Sequence, residues 1–200
     1  MTWIKICGLT TPEGVAAALD AGVDAIGFVF APSVRQVTPA AAAKLAEPAR
    51  GSVRCVAVTR HPTQQTVDEI LSVFQPDLLQ TDAADLLSLQ LPPGLARLPV
   101  MRSVKAEDML PARMLFEGLT SGSGVPCDWN VARQVARRTE LILAGGLNPD
   151  NVAAAIEAVR PFGVDVSSGV ELRPGIKNPV EIARFAVAAR RAFRAILNPA

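Results

Sequence analysis

One histidine, three cysteines and a net charge of +1 exclude several functions before any motif is read. With His61 alone, a zinc centre of the usual histidine and cysteine kind has too few ligands. Cys7, Cys55 and Cys127 are odd in number and far apart, which fits a reducing cytoplasm better than a disulfide framework. The near-neutral charge offers no electrostatic footprint for nucleic acid or an acidic membrane surface. No apolar run approaches the roughly 18 residues that span a bilayer. The amino terminus lacks the basic segment and long apolar stretch of a secretory signal, so the expected location is the cytoplasm. What remains is globular: 50% hydrophobic, 20% charged, and 200 residues, enough for one domain with a substantial core.

Short apolar runs alternate with helical patterns, and the alternation recurs eight times. The strands are expected at 3–7, 25–30, 53–59, 77–81, 98–104, 114–118, 140–144 and 163–167. Several are unbroken apolar runs, as parallel strands buried on both faces require. Thr11-Pro12, Thr38-Pro39, Asn148-Pro149 and Asn178-Pro179 each put a capping side chain before a proline suited to a first helical turn. A helix is expected near 85–92, cut short by Pro92, Pro93 and Gly94. The last helix repeats apolar residues at Ile182, Phe185, Ala189, Phe193 and Ile196, with Arg184, Arg191 and Arg194 left for water. Eight such units over residues 1–200 predict a single-domain α/β (β/α)8 TIM barrel with short loops. An open doubly wound sheet uses the same local grammar.

Either architecture puts function at the carboxyl ends of the strands, which turns the strand map into a site list. Gly145 and Gly146 precede a helix start on the seventh unit, and Ser167-Ser168-Gly169 follows the eighth strand. Backbone N–H groups from these two loops commonly bind phosphate in barrels; the plainer reading is two tight turns. Arg35 is the only charge in its loop, either a solvated arginine or a two-pronged clamp for a carboxylate or phosphate. Asp128 precedes Val131 and Val135, so its plain role is a helix N-cap. Cys7 is either a small core residue or a thiol delivered to a pocket mouth, where positive charge would favour its thiolate. Lys5 shares its strand face and either fills the interior as an ion-paired residue or supports that thiolate. Arg102 and Lys105 fit the fifth-strand mouth or open water equally well.

In colinear order, "KICGLT", "GFVF" with "SVRQVTP", "SGSGVPCDW", "LAGGLNPDNV" and "VDVSSGVE…PGIK" resemble the phosphoribosylanthranilate isomerase family of tryptophan biosynthesis. The resemblance runs from Lys5 to Lys177. It implies a barrel enzyme that uses no cofactor or metal and acts on a small phosphoribosyl substrate, as a monomer or homodimer. The implied reaction is an Amadori rearrangement of N-(5-phosphoribosyl)anthranilate to 1-(2-carboxyphenylamino)-1-deoxyribulose 5-phosphate. By the resemblance, Cys7 is the general base, Asp128 the general acid and Arg35 the group that recognises the anthranilate carboxylate. Gly146 and the Ser168-Gly169 turn, with Gly145 beside them, fall at its phosphate site. Acid and base must hold opposite protonation states near neutral pH, so the pocket is expected to raise Asp128 and lower Cys7.

The pattern departs in places. "QTDA" keeps Gln80 but puts Asp82 where the family commonly has histidine. Glu117 stands where an aspartate is usual, and Cys127 where an aromatic often is. Two other readings are a related aldose–ketose isomerase that uses aspartates as acid and base, and a silent phosphate-binding barrel. Cys7 argues against the first. Retention of Cys7, Arg35 and Asp128 together argues against the second.

Overall fold

The computed structural model describes residues 2–105, 107–118 and 128–198. Its centre is eight parallel strands: β1 (Trp3–Cys7), β2 (Ala25–Val29), β3 (Arg54–Val58), β4 (Leu78–Asp82), β5 (Ala96–Met101), β6 (Arg113–Phe116), β7 (Glu140–Leu143) and β8 (Gly163–Val166). Each pairs with the next in sequence, and β1 closes on β8 through Trp3↔Gly163, Ile4↔Val164, Lys5↔Asp165 and Ile6↔Val166. The sheet is therefore a closed barrel and not an open one. Every expected strand is present, most within a residue or two of its expected bounds.

Alternation along each strand sorts the side chains into two cores. Ile4, Ile6, Ile26, Phe28, Leu79, Leu143 and Val164 belong to the outer core shared with the helices. Ala25, Val56, Leu78, Leu98, Val100, Leu115 and Ile142 fill the barrel. Lys5 and Asp165 share that interior as a buried, oppositely charged pair.

Among the described residues, six helices accompany the strands: α1 (Pro12–Asp20), α2 (Pro39–Ala46), α3 (Gln64–Glu69), α4 (Trp129–Ala136), α5 (Val152–Val159) and α6 (Pro179–Leu197). Thr11, Thr38 and Asn178 cap α1, α2 and α6 through their side chains, with proline in the first turn each time. On α6, Ile182, Phe185, Ala189 and Phe193 are buried as the spacing requires.

Two expectations fail. The fourth helix is only a 3-10 turn, Asp85–Leu87. Among the described residues none follows β5 either. Leu86, Leu89, Leu91 and Leu95 pack against the outer core from irregular backbone instead. Dropping two helices accounts for a closed barrel in 200 residues, where about 250 is typical. The other failure is at Asn148-Pro149. The Asn148 carboxamide accepts from the N–H groups of Asp150 and Asn151, forming a separate turn, and α5 starts three residues later than expected. No helix among the described residues is long and apolar enough to cross a membrane.

Candidate active site

Strand β1 delivers Cys7 to the carboxyl rim, where it is 6% exposed. Gly27, its partner on β2, makes the room. A Cβ there would lie 3.1 Å from Cys7 Sγ and 3.2 Å from Lys5 Nζ. Lys5 is fully buried and donates to Asp165 Oδ1 at 2.8 Å. Burial alone would pull its ammonium down, but the Asp165 carboxylate and Cys7 outweigh that and hold it above its ordinary value. Lys5 is thus a charged residue at the barrel centre, as one of the two sequence readings has it.

The expected lowering of Cys7 is not met. Burial is the largest influence and pushes the thiol up; Lys5 and Lys177 pull against it, and the Asp165 carboxylate adds to the rise. Burial thus favours the thiol form of Cys7, and the Lys5 and Lys177 side chains are placed to favour its thiolate. Cys55 is the contrasting case, a core thiol on β3 that burial pushes up to about 11. A thiolate absorbance titration of wild type against Cys7→Ser isolates Cys7. Its midpoint is expected above the ordinary thiol value of about 8.5 and, in Lys5→Met, higher still. A midpoint near neutral pH would show that the lysines outweigh burial.

Immediately after Cys7 the backbone turns through Gly8 at φ 75°. A Cβ at Gly8 would sit 2.6 Å from Arg35 Cδ and 3.1 Å from Ser167 Oγ. The loops after β1, β2 and β8 therefore meet at one residue, which only glycine fits. Arg35 does clamp a carboxylate with two parallel bonds, but that carboxylate is the protein's own. Its Nε donates to Glu171 Oε1 at 2.7 Å and its Nη2 to Glu171 Oε2 at 2.8 Å. Glu171 begins strand β9 (Glu171–Arg173), which forms an antiparallel hairpin with β10 (Ile176–Lys177) and pairs it with Lys177. Lys177 Nζ donates to the same Oε1 at 2.8 Å and to the Ser167 carbonyl at 2.9 Å. Burial acts to raise Glu171, yet the bonds from Arg35 and Lys177 keep its carboxyl below the ordinary range.

The two glycine-bearing loops come together as expected. Gly145 and Gly146 are left-handed, at φ 89° and 64°. Asn151 ties this loop down by donating to the Gly146 carbonyl at 2.8 Å and accepting from the Asn148 N–H at 2.8 Å. On the next loop, Ser168 and Gly169 form a 3-10 turn with Val170. A Cβ at Gly169 would lie 1.9 Å from the Leu147 carbonyl oxygen, so the absent side chain is what lets the loops touch. None of the described backbone hydrogen bonds uses the N–H groups of Gly146, Ser168 or Gly169 as donors.

Asp128 follows β6 at the start of α4. It caps α4, its Oδ1 accepting from the N–H groups of Asn130 at 2.8 Å and Val131 at 3.4 Å, and it is exposed. The preceding "SGSG" stretch and Cys127 lie outside the described residues. At the carboxyl ends of β4 to β6, Arg102 bridges Asp82 and Glu117, while the Lys105 side chain is exposed. His61, Asp82 and Asp85 bring ligand-type atoms within 4.8 Å of one another. Asp82 is already bound to Arg102, and His61 Nδ1 lies 2.9 Å from Asp85 Oδ1, so these groups are engaged with one another and with Arg102. Gln80, 6% exposed on the inward face of β4, has its Oε1 buried without a partner among the described residues.

Asp165, Glu171, Lys177, Gly8 and Gly27 were not singled out by sequence reasoning. One signal was available. Asp165 interrupts an apolar strand, and a carboxylate so placed needs a cation, which Lys5 offers from another apolar strand. A cavity of about 930 Å³ opens at the opposite, amino end of the barrel, lined by Trp3, Arg54, Arg113 and Phe162 among others. That end serves stability in barrels of this kind.

A family model described as N-(5'-phosphoribosyl)anthranilate (PRA) isomerase matches residues 4–188. The N-(5'-phosphoribosyl)anthranilate isomerase of Rhizobium johnstonii is 41% identical over 212 aligned residues, covering 94% of each chain. That of Rhizobium rhizogenes is 38% identical over 205, covering 91% of each. Among solved structures, TrpF from Jonesia denitrificans is 34% identical with a TM-score of 0.78, covering 96% of this chain and 98% of its own. A phosphoribosyl anthranilate isomerase solved with reduced 1-(o-carboxyphenylamino)-1-deoxyribulose 5-phosphate is 29% identical at a TM-score of 0.77, with coverage of 96% and 100%.

Proposed function

The chain belongs to the N-(5'-phosphoribosyl)anthranilate isomerase family, and from that premise we propose how its rim residues carry the reaction. The reaction is the Amadori rearrangement of N-(5-phosphoribosyl)anthranilate in tryptophan biosynthesis. Residues 1–200 act as one barrel unit on a small phosphoribosyl substrate, in the cytoplasm, where a base thiol stays reduced.

The substrate spans the mouth. Its phosphate takes the N–H groups around Gly146, Ser168 and Gly169, with Gly145 shaping the approach. Its anthranilate carboxylate meets Arg35. Asp128, as the carboxylic acid, protonates the ribose ring oxygen. The bond from that oxygen to C1 breaks, and the amine lone pair forms the C1–nitrogen double bond of a Schiff base. The Schiff base acidifies the proton on C2. The Cys7 thiolate removes it, and the released pair forms the C1–C2 double bond of an enolamine, neutralising the nitrogen. Protonation at C1 and loss of the C2 hydroxyl proton give the ketone.

One observation carries this reading: Gly8 lies against both the Arg35 side-chain stem and Ser167, so the loops that carry Arg35 and the Ser168-Gly169 turn meet the chain one residue from Cys7. The test is loss of the intrinsic fluorescence of phosphoribosylanthranilate on adding purified protein, with the ketose phosphate as product. Phosphate binding without turnover would instead describe a silent barrel.

A further inference from the structure

We propose that Glu171 is a positioning residue: it fixes the guanidinium of Arg35 by one edge and so presents the other edge to the substrate carboxylate. The inference rests on the reading of Arg35 as the carboxylate-binding group and adds how that group is held.

A guanidinium has five N–H donors arranged around a plane. Glu171 takes two of them, on Nε and Nη2, leaving three, of which one on each Nη faces end-on. None of those three donates to an acceptor among the described residues. A second carboxylate can therefore bind end-on without displacing the first.

Displacement would be the alternative, and the surroundings argue against it. The side chains of Arg35, Glu171 and Lys177 are 14%, 5% and 1% exposed. A Glu171 turned away from Arg35 would be a buried carboxylate left to one lysine. Lys177 is committed as well, since it also donates to the Ser167 carbonyl. The chain of contacts Ser167–Lys177–Glu171–Arg35 therefore ties the carboxylate end of the mouth to the turn at its phosphate end. The β9–β10 hairpin, outside the eight-stranded barrel, supplies both Glu171 and Lys177. Gly175 at its tip packs against the Val34 carbonyl and accepts from the Thr10 hydroxyl, which fixes the hairpin over the loop that carries Arg35.

The test compares two ligands: reduced 1-(o-carboxyphenylamino)-1-deoxyribulose 5-phosphate and its counterpart without the ring carboxylate. Affinities are measured by calorimetry for wild type, Arg35→Ala, Glu171→Ala and Glu171→Gln. Glu171→Gln keeps the shape should the alanine variant fold poorly. Both Glu171 variants are expected to weaken the carboxylated ligand about 10–100-fold, the scale on which a misplaced clamp is felt. The other ligand should bind as to wild type, and KM should rise with kcat largely kept. Equal losses for both ligands would make Glu171 merely structural, and tighter binding of the carboxylated one would make it a competitor; either overturns the proposal. If Arg35→Ala fails to reduce discrimination between the ligands, the underlying assignment of Arg35 falls instead.

Discussion

Asp128→Asn is expected to lower turnover by about 10²–10⁴-fold, the usual worth of a positioned acid or base, with no change in melting temperature. The substitution separates the capping role that the structure shows from the acid role proposed for the same side chain. As an N-cap, Asp128 accepts from the N–H groups of Asn130 and Val131 through Oδ1. Asparagine caps as well as aspartate, because its carbonyl oxygen accepts the same bonds. It has no carboxyl proton to give a ring oxygen. Folding should therefore survive while acid catalysis does not. Wild-type turnover in this variant would reduce Asp128 to a cap. Cys7→Ala should lose a similar factor, and Cys7→Ser should not restore it, since a hydroxyl is a far poorer base than a thiolate. Far-UV circular dichroism should match wild type in all three.

Asp165→Asn is expected to cost stability before chemistry. Lys5 is fully buried and donates to the Asp165 carboxylate in the barrel core. Breaking a buried pair from one side leaves an uncompensated charge, at a cost of about 3–5 kcal/mol. For a chain of this size that lowers the melting temperature by about 6–20 °C. Lys5→Met with Asp165→Leu should melt higher than Asp165→Asn, because a well-packed apolar pair needs no compensation. The double variant also strips Cys7 of its nearest cation, so it should fold and turn over poorly. A thermal melt of the two variants decides the point: equal melting temperatures would mean that the pair does not hold the barrel centre.

The parts legible from sequence and those not divide by distance along the chain. Eight strands were readable because strands buried on both faces must be locally apolar. Caps at Thr11, Thr38 and Asn178 were readable because a cap and its helix are neighbours. The absent fourth helix was not, since Leu86 and Leu89 have helical spacing whether or not a helix forms. Arg35 was expected to hold a carboxylate, but its partner Glu171 is 136 residues away and no spacing rule reaches so far. Cys7 and the phosphate turns were assigned to the rim by strand polarity alone. The direction of the Cys7 shift was not available that way, because it depends on how completely the rim encloses the sulfur.

Lys5 meets Asp165 across 160 residues, and Thr10 meets Gly175 across 165. The seam between β1 and β8 is therefore where the first and last strands of the barrel are stitched together, and the proposed chemistry sits on the stitch. On the ribosome, at about 5–20 residues per second, the first strand waits on the order of ten to thirty seconds for the segment that completes its pocket. A partly made chain can collapse and pair its early strands. It has no phosphate turn, no counter-ion for Lys5 and no hairpin to hold Arg35. Catalytic competence thus arrives last and all at once, which makes activity a report on the finished ring.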